Sequence, residues 1–113
     1  MQESRRAPSR YSFSIKIFDT VVSPGSVVAT EGVRISPYLT KTVIGRCEFD
    51  GVLHVDISPS GTTNYFTDVY TVNVAANRVF TVSWTEAGDY ASIRIENTST
   101  TSGRAIIWLV IQT

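Results

Sequence analysis

Apolar and polar side chains alternate with a period of two along most of the chain, which is the pattern of a half-buried β-strand. The clearest example is YSFSIKIF at residues 11–18. Its large apolar side chains share one face of the strand: Tyr11, Phe13, Ile15 and Ile17. The serines and the lysine between them share the other face, so this segment predicts a strand with one buried side.

Six further segments have the composition of strands and are separated by residues that favour turns. They are KTVIGRCEF (41–49), VLHVDIS (52–58), YFTDVYTVNV (65–74), RVFTVSW (78–84), YASIRIEN (90–97) and AIIWLVIQ (105–112). Residues 20–40 contain Pro24, Gly25 and Pro37, so we expect only short or edge strands there. No segment has a sustained apolar period of 3.6 residues. The pattern predicts an all-β fold: a single antiparallel β-sandwich, jelly-roll-like, with seven to eight short strands.

Two segments allow more detailed predictions. Asp50-Gly51 separates two predicted strands and tolerates the positive φ angles of a type I′ turn, so we expect residues 41–58 to form a β-hairpin. The last segment is apolar on both faces from Ile106 to Ile111, so it is either a central strand or a strand covered on its outer side.

Size and charge limit the possible functions. The 113 residues suffice for one domain with one core. Ten basic and ten acidic residues cancel, so no overall field attracts nucleic acid or an anionic membrane, and no apolar run approaches the ~20 residues of a membrane helix. The polar, arginine-containing start predicts a flexible arm at residues 1–10, either disordered or ordered on a neighbour, and a β-sandwich domain at residues 11–113.

The sequence contains few residues that could act together in catalysis or bind a metal ion. His54, Asp56 and Ser58 contain the residue types of a nucleophilic triad, but residues two apart on a strand lie ~6.6 Å apart and project in parallel, which does not form a hydrogen-bond relay. We expect them to form the solvated face of a strand. One histidine and the single Cys47 are too few for a zinc site, and no calcium-loop spacing appears. We therefore predict no catalytic residues, no metal, no cofactor and no enzymatic activity.

Aromatic rings in the second half of the chain provide the strongest signal for ligand binding. Tyr65, Tyr70 and Trp84 could be displayed on a sheet and stack on a sugar. The alternative is that such rings fill the core, which we expect for Trp84 and Trp108; Phe66, Tyr70 and Val72 also fall on one alternating face, as core residues should. Nucleic-acid binding is not expected, because few basic residues are interleaved with these rings.

One stretch also suggests a resemblance. SPSGTTN at residues 58–64 is a proline- and glycine-containing turn followed by Tyr65, and GDYASIRIEN at residues 88–97 precedes the final apolar strand. In this arrangement, residues 41–113 resemble small jelly-roll-like β-sandwich structural proteins of bacterial and archaeal virions and of extracellular filaments. The resemblance implies a non-enzymatic subunit that assembles in many copies, on a virion or outside the cell.

These observations predict a self-assembling structural subunit, with a homo-oligomer or polymer as its working form. The candidate assembly strand contains Tyr11, Phe13, Ile15 and Ile17, which could fill a neighbour's half-open sandwich by strand exchange. The other possibility for this strand is pairing within its own sheet. The alternative function is a carbohydrate-binding module that uses Tyr65, Tyr70 or Trp84.

Overall fold

The structure is a computed structural model that describes residues 12–113, and this part of the chain contains nine strands and no helix. The strands are β1 (Ser12–Val22), β2 (Val27–Ala29), β3 (Val33–Arg34), β4 (Thr40–Cys47), β5 (Gly51–Ser58), β6 (Phe66–Val74), β7 (Val79–Trp84), β8 (Tyr90–Asn97) and β9 (Gly103–Gln112). The arm predicted at residues 1–10, and Tyr11 with it, lies outside the described residues.

The strands form two antiparallel sheets that pack face to face. One sheet has the order β1-β9-β4-β7, and the other has the order β2-β8-β5-β6 with β3 also paired to β8. Non-consecutive strands are neighbours in both sheets, as in the Greek-key connections of a jelly roll. The predicted jelly-roll-like β-sandwich is confirmed, with β3 as an additional short strand.

The alternation of apolar and polar residues along the strands determines which side chains form the core. In β8 and β9 every second side chain points between the sheets and is buried, including Ile93, Ile95, Ile107 and Leu109. Strand β9 lies between β1 and β4, so the first of the two predicted alternatives, a central strand, is correct. No described strand covers its outer face, and Ile106 remains 41% exposed there.

The β-hairpin predicted at Asp50-Gly51 is wrong. Strand β4 pairs with β7 and β9, whereas β5 pairs with β6 and β8, so the chain crosses from one sheet to the other between Cys47 and Gly51. Phe49 is 1% exposed within this crossing. Glycine is required because a Cβ at residue 51 would lie 2.1 Å from the carbonyl oxygen of Glu96. The residue therefore serves a close approach between strands rather than a turn.

Strand β1 contains a bulge that reverses which side chains face inward. The register against β9 shifts between Lys16 and Phe18, with Ile17 as the extra residue. Before the bulge, Phe13 lies opposite the buried Ile111; after it, Phe18 itself is buried. The bulge thus lets one long strand keep apolar side chains inward along both halves.

Asn97 joins the ends of several strands. Its side chain is fully buried, and its Nδ2 donates to the carbonyl oxygens of Val22 at 2.9 Å and Thr101 at 2.8 Å. Its Oδ1 accepts from the backbone N–H of Ser99 at 2.9 Å and from the Ser99 hydroxyl at 2.7 Å. Every polar atom of this side chain is therefore satisfied, which buried amides require.

The turn after β5 is held in place by Asp89, the residue that precedes β8. Asp89 accepts hydrogen bonds from the backbone N–H of Gly61 at 3.1 Å and from the Ser36 hydroxyl at 2.9 Å. These two bonds lower the pKa of the Asp89 carboxyl. Gly61 has φ +71°, which glycine adopts without strain. The SPSGTTN stretch is thus a corner of the sandwich held by its neighbours.

Candidate functional site

The candidate assembly strand lies at the edge of its sheet. Strand β1 pairs with β9 from Ser12 to Val22, and no other described strand pairs with it. Phe13 is 52% exposed and Ile15 is 39% exposed although both lie on the inward side of the strand. Ile17 is half-buried at the bulge, and Tyr11 lies outside the described residues. The start of β1 therefore extends past the region that the second sheet covers.

An apolar groove lies beside these exposed side chains. It has a volume of about 400 Å³ and is lined by Phe13, Ile15, Val33, Arg34, Ser36, Pro37, Tyr38 and Ile111. The ring of Phe13 meets that of Tyr38 edge-on, with ring centroids 5.9 Å apart. The groove lies between β1 and β3, which belong to different sheets.

The outer face of the β1-β9-β4-β7 sheet carries a second group of exposed apolar side chains, which we call the apolar face. Its members are Ile44, Val79, Ile106 and Trp108. Ile44 lies opposite Trp108, and Arg46 lies between Ile106 and Val79, so Ile44, Ile106 and Trp108 are neighbours on the sheet and Val79 lies beyond Arg46. Exposed apolar area bordered by polar residues is typical of interaction surfaces.

Trp108 was expected in the core, and this prediction is wrong. It is 37% exposed, and the Lys16 ammonium lies 5.5 Å from its ring centroid on the outer surface. The reason is the period of two, because Ile107 and Leu109 occupy the inward positions of β9. A strand that is apolar on both faces gives no signal of which face is buried.

The outer face of the other sheet carries a network of charged side chains. Arg94 donates from Nε to Asp56 Oδ2 at 2.7 Å and from an Nη to Asp56 Oδ1 at 2.9 Å. It also bonds Asp68. His54 lies between two carboxylates, with Nδ1 2.8 Å from Asp68 and Nε2 3.1 Å from Glu96. The arrangement joins β5, β6 and β8 through their side chains.

Asp56 is the buried centre of this network. Burial raises the pKa of its carboxyl, but the bonds from Arg94 and from the Asp68 backbone N–H, together with the charges of Arg94 and His54, outweigh it and lower that pKa overall. The same contacts with Asp56 raise the pKa of Arg94. Both groups are therefore held in their charged forms.

The network has no arrangement for nucleophilic catalysis. Ser58 is fully buried and donates its hydroxyl to the carbonyl oxygen of Ser60 at 3.1 Å, while Asp56 bonds Arg94 rather than His54. We expected His54, Asp56 and Ser58 to form a solvated face of β5. This prediction is wrong for Asp56 and Ser58, which are buried, whereas His54 is half-buried. Sequence reasoning missed the network, because its members come from three strands. The signal was the row of charged residues on neighbouring central strands.

Of the three candidate stacking residues, one is buried and two are half-buried, so none presents a fully open ring face. Trp84 is 3% exposed, which agrees with the core position expected for it, and its ring lies 5.8 Å from that of Tyr70 between the sheets. Tyr70 is half-buried, and the Tyr65 hydroxyl is enclosed close to Gly32. Burial raises the pKa of Tyr65. Phe66, expected in the core, is instead 68% exposed at the start of the edge strand β6.

Two further groups have distinctive surroundings. Lys41 is 1% exposed, and its Nζ donates to the carbonyl oxygens of Tyr38, Leu39 and Glu86 at 3.3, 3.2 and 2.8 Å. Burial lowers its pKa, partly opposed by the charge of Glu86. Burial also raises the pKa of Cys47 to about 11, which keeps this thiol protonated.

Within residues 12–113, histidine, cysteine and acidic side chains nowhere meet in groups of three or more that could hold a metal ion. The same part of the chain has no helix of the length and apolarity that crossing a membrane requires.

No family model and no curated protein matches the chain. Several solved structures share its fold. The PBSX exported protein XepA superimposes with a TM-score of 0.75 at 14% identity over 88% of this chain, which spans 36% of XepA. The SPBc2 prophage-derived protein YomS gives 0.57 at 9% identity, with 95% and 97% of the two chains covered. A protein of the Bacillus endospore appendages, a family of disulfide-linked pili, gives 0.54 at 13% identity, with 98% and 95% covered.

The fold is thus that of small β proteins from phage and extracellular filaments, as the resemblance in the sequence indicated. At these identities the likeness concerns the fold.

Proposed function

We propose that the protein is a non-enzymatic structural subunit that assembles in many copies, on a virion or in an extracellular filament. The observation that carries the proposal is the apolar face, where Ile44, Ile106 and Trp108 are 39, 41 and 37% exposed on a sheet with no described covering element. A zero formal charge gives little repulsion between copies. An exported protein, a prophage-derived protein and a pilus protein share the fold, which supports this setting.

Charge placed on the apolar face tests the proposal. Ile44 is 39% exposed there, and Val69, on the other sheet, is 40% exposed and serves as a matched control. We expect Ile44→Lys to weaken self-association at least about tenfold in sedimentation velocity, because a lysine in an apolar contact loses its hydration. Val69→Lys should leave association unchanged. If the two variants weaken self-association equally, the apolar face is not the assembly surface.

Strand exchange, with Tyr11, Phe13, Ile15 and Ile17 inserted into a neighbour, stays a prediction. Ser14 lies opposite Val110 on the outer face, which permits a decisive disulfide test in a Cys47→Ala background. In the variant Ser14→Cys with Val110→Cys, exchange predicts that oxidation of the assembled protein joins separate chains. A strand that stays in its own sheet gives a disulfide within one chain, and the protein then migrates as a monomer on a non-reducing denaturing gel.

A carbohydrate-binding module is the second candidate, and the exposed ring of Trp108 favours it. This ring lies on an open sheet face that also has a cavity of about 280 Å³, lined by Arg46, Glu48, Asn77, Arg104 and Ile106. Stacking on an aromatic ring is worth ~1–3 kcal/mol for nucleic-acid bases, and a sugar ring would use the same surface. Tryptophan fluorescence titrated with a glycan panel should change in the wild type and not in Trp108→Ala. A panel without response at millimolar concentrations would exclude this function.

A further inference from the structure

The four sheet edges of the sandwich differ in how open they are to another strand. Strand β7 offers six residues, and β2 and β3 offer three and two. Strand β6 is nine residues long, but its register is broken opposite Val55 and Ile57, and Asp68 has φ 55°. Strand β1 offers eleven residues, with β9 as its only partner among the described strands. Unpaired backbone groups on a long edge are a template for another strand.

Strand β1 has one feature that can block pairing at an edge, the bulge at Ile17, but it lacks others that usually do so. It contains no proline, and its two charged residues, Lys16 and Asp19, lie on the outer face rather than toward the core. On that face Lys16 contacts Trp108 and bonds Asp19 of its own chain at 3.4 Å, and Asp19 also bonds Arg104 at 2.9 Å. The edge is therefore open for pairing on both sides of the bulge.

We infer that two copies of the chain pair antiparallel through the free edges of β1, about a two-fold axis, so that two four-stranded sheets become one. In the register that we assign, Lys16 of each copy lies opposite Asp19 of the other. Phe13 then lies opposite Val22, and Ser14 lies opposite Val21. The inference rests on the proposed assembly function and names the partner at this edge as a second copy.

The bulge in β1 determines this register. Outward-facing residues have even numbers before it and odd numbers after it, as their pairing with outward residues of β9 shows. A symmetric pair that uses residues on both sides of the bulge and keeps outer faces together must therefore match an even position with an odd one. Matching Lys16 with Asp19 does this, places the bulges on the two-fold axis and brings opposite charges together twice. Shifting the register by two residues leaves both charges without a partner across the axis.

Edge pairing also accounts for exposed side chains at the start of β1. Ile15 and Phe13, exposed at 39 and 52%, would lie beside inward-facing residues of the second copy, Thr20 and Val22. On the other side of the joined sheet, the two apolar faces would point the same way, with the outward Ser14, Lys16 and Asp19 of both β1 strands between them. In contrast to strand exchange, each β1 stays hydrogen-bonded to β9 of its own chain.

Disulfide formation tests the register. Ser14 and Val21 lie roughly 20 Å apart along one strand, too far for a disulfide within a chain, whereas facing residues of paired strands are within range. We expect Ser14→Cys with Val21→Cys, in a Cys47→Ala background, to give a covalent dimer on mild oxidation. Ser12→Cys with Val21→Cys, which corresponds to the shifted register, should form at least about tenfold less. The reverse order of yields would overturn the register.

Mixing charge variants tests the pairing itself. Lys16→Glu alone and Asp19→Lys alone each place like charges opposite each other twice, and we expect about tenfold weaker self-association. An equal mixture restores both opposite-charge pairs, so association should return to the wild-type level. If the wild type assembles but each single variant and their mixture associate equally strongly, the edge pairing is wrong and the proposed function still stands. A wild type that is monomeric at all concentrations would overturn the proposed function as well.

Discussion

At the residue scale, buried polar side chains decide how the ends of the sandwich hold together. Asn97 makes four hydrogen bonds with no exposure to solvent, and Asp56 is bonded by Arg94 and by a backbone N–H. Replacing either side chain with one that cannot make these bonds leaves buried groups unpaired, which is costly because water does not reach them.

Asn97→Leu should lower the free energy of unfolding by about 2–3 kcal/mol, because the buried carbonyl oxygen of Val22 loses its donor and the hydrogen bonds to Thr101 and Ser99 are lost as well. Urea denaturation followed by tryptophan fluorescence measures this loss. Asn73→Leu, at an exposed position on β6, is the control and should change stability by less than about 0.5 kcal/mol. Equal losses in the two variants would contradict the role assigned to Asn97.

Asp56→Asn should lower stability by about 2 kcal/mol at neutral pH, since the bond between two charged groups is lost. The folded state lowers the pKa of Asp56 below the ordinary 3.8. Its contribution is therefore complete above about pH 4 and disappears as pH falls through the lower folded value. The difference between wild type and variant should shrink in acid. Asp19→Asn, at an exposed carboxylate, should show a smaller difference, and a constant gap for Asp56→Asn down to pH 2 would contradict the account.

Which side chains are buried could be predicted only for strands that have one apolar face and one polar face. Trp84 was correctly expected in the core, but Trp108 was not, because both faces of β9 are apolar and only the sheet packing selects one. The network around Arg94 could not be derived from spacing, since Asp56 and Asp68 reach it from different strands.

At the element scale, the sequence predicted strands better than their partners. The alternation of residues 41–49 and 52–58 is the same whether they form a hairpin in one sheet or cross between two sheets. In the sandwich, the crossing keeps both apolar faces inward, and the burial of Phe49 favours it. The long-range pairing of β1 with β9 has no local signal at all.

Gly51→Ala tests the close approach that shapes this crossing. An added Cβ would meet the Glu96 carbonyl oxygen at 2.1 Å, so β5 or β8 must shift. We expect a loss of about 2–3 kcal/mol in the free energy of unfolding, measured by urea denaturation. Gly25→Ala adds a methyl group into open space at φ +72°, so it should cost only about 1 kcal/mol of backbone strain. A tolerated Gly51→Ala would show that the strands approach less closely.

At the scale of the whole molecule, the sandwich has a buried interior and two surfaces that differ in character. One sheet carries a satisfied charge network on its outside, while the other carries the apolar face and the open edge of β1. The fold class and the resemblance to filament and phage proteins were predictable from the strand pattern and the turn motif. The asymmetry between the two surfaces was not, because it depends on which strands become neighbours.

The central claim is that the chain assembles with itself, and the molar mass of the purified protein in solution tests it most directly. Size-exclusion chromatography with light scattering, over micromolar to high micromolar concentrations, should give a mass that rises from dimer to larger species. Electron microscopy of the same samples should show regular tubes, rings or shells. A mass of 12.4 kDa at every concentration would contradict the account.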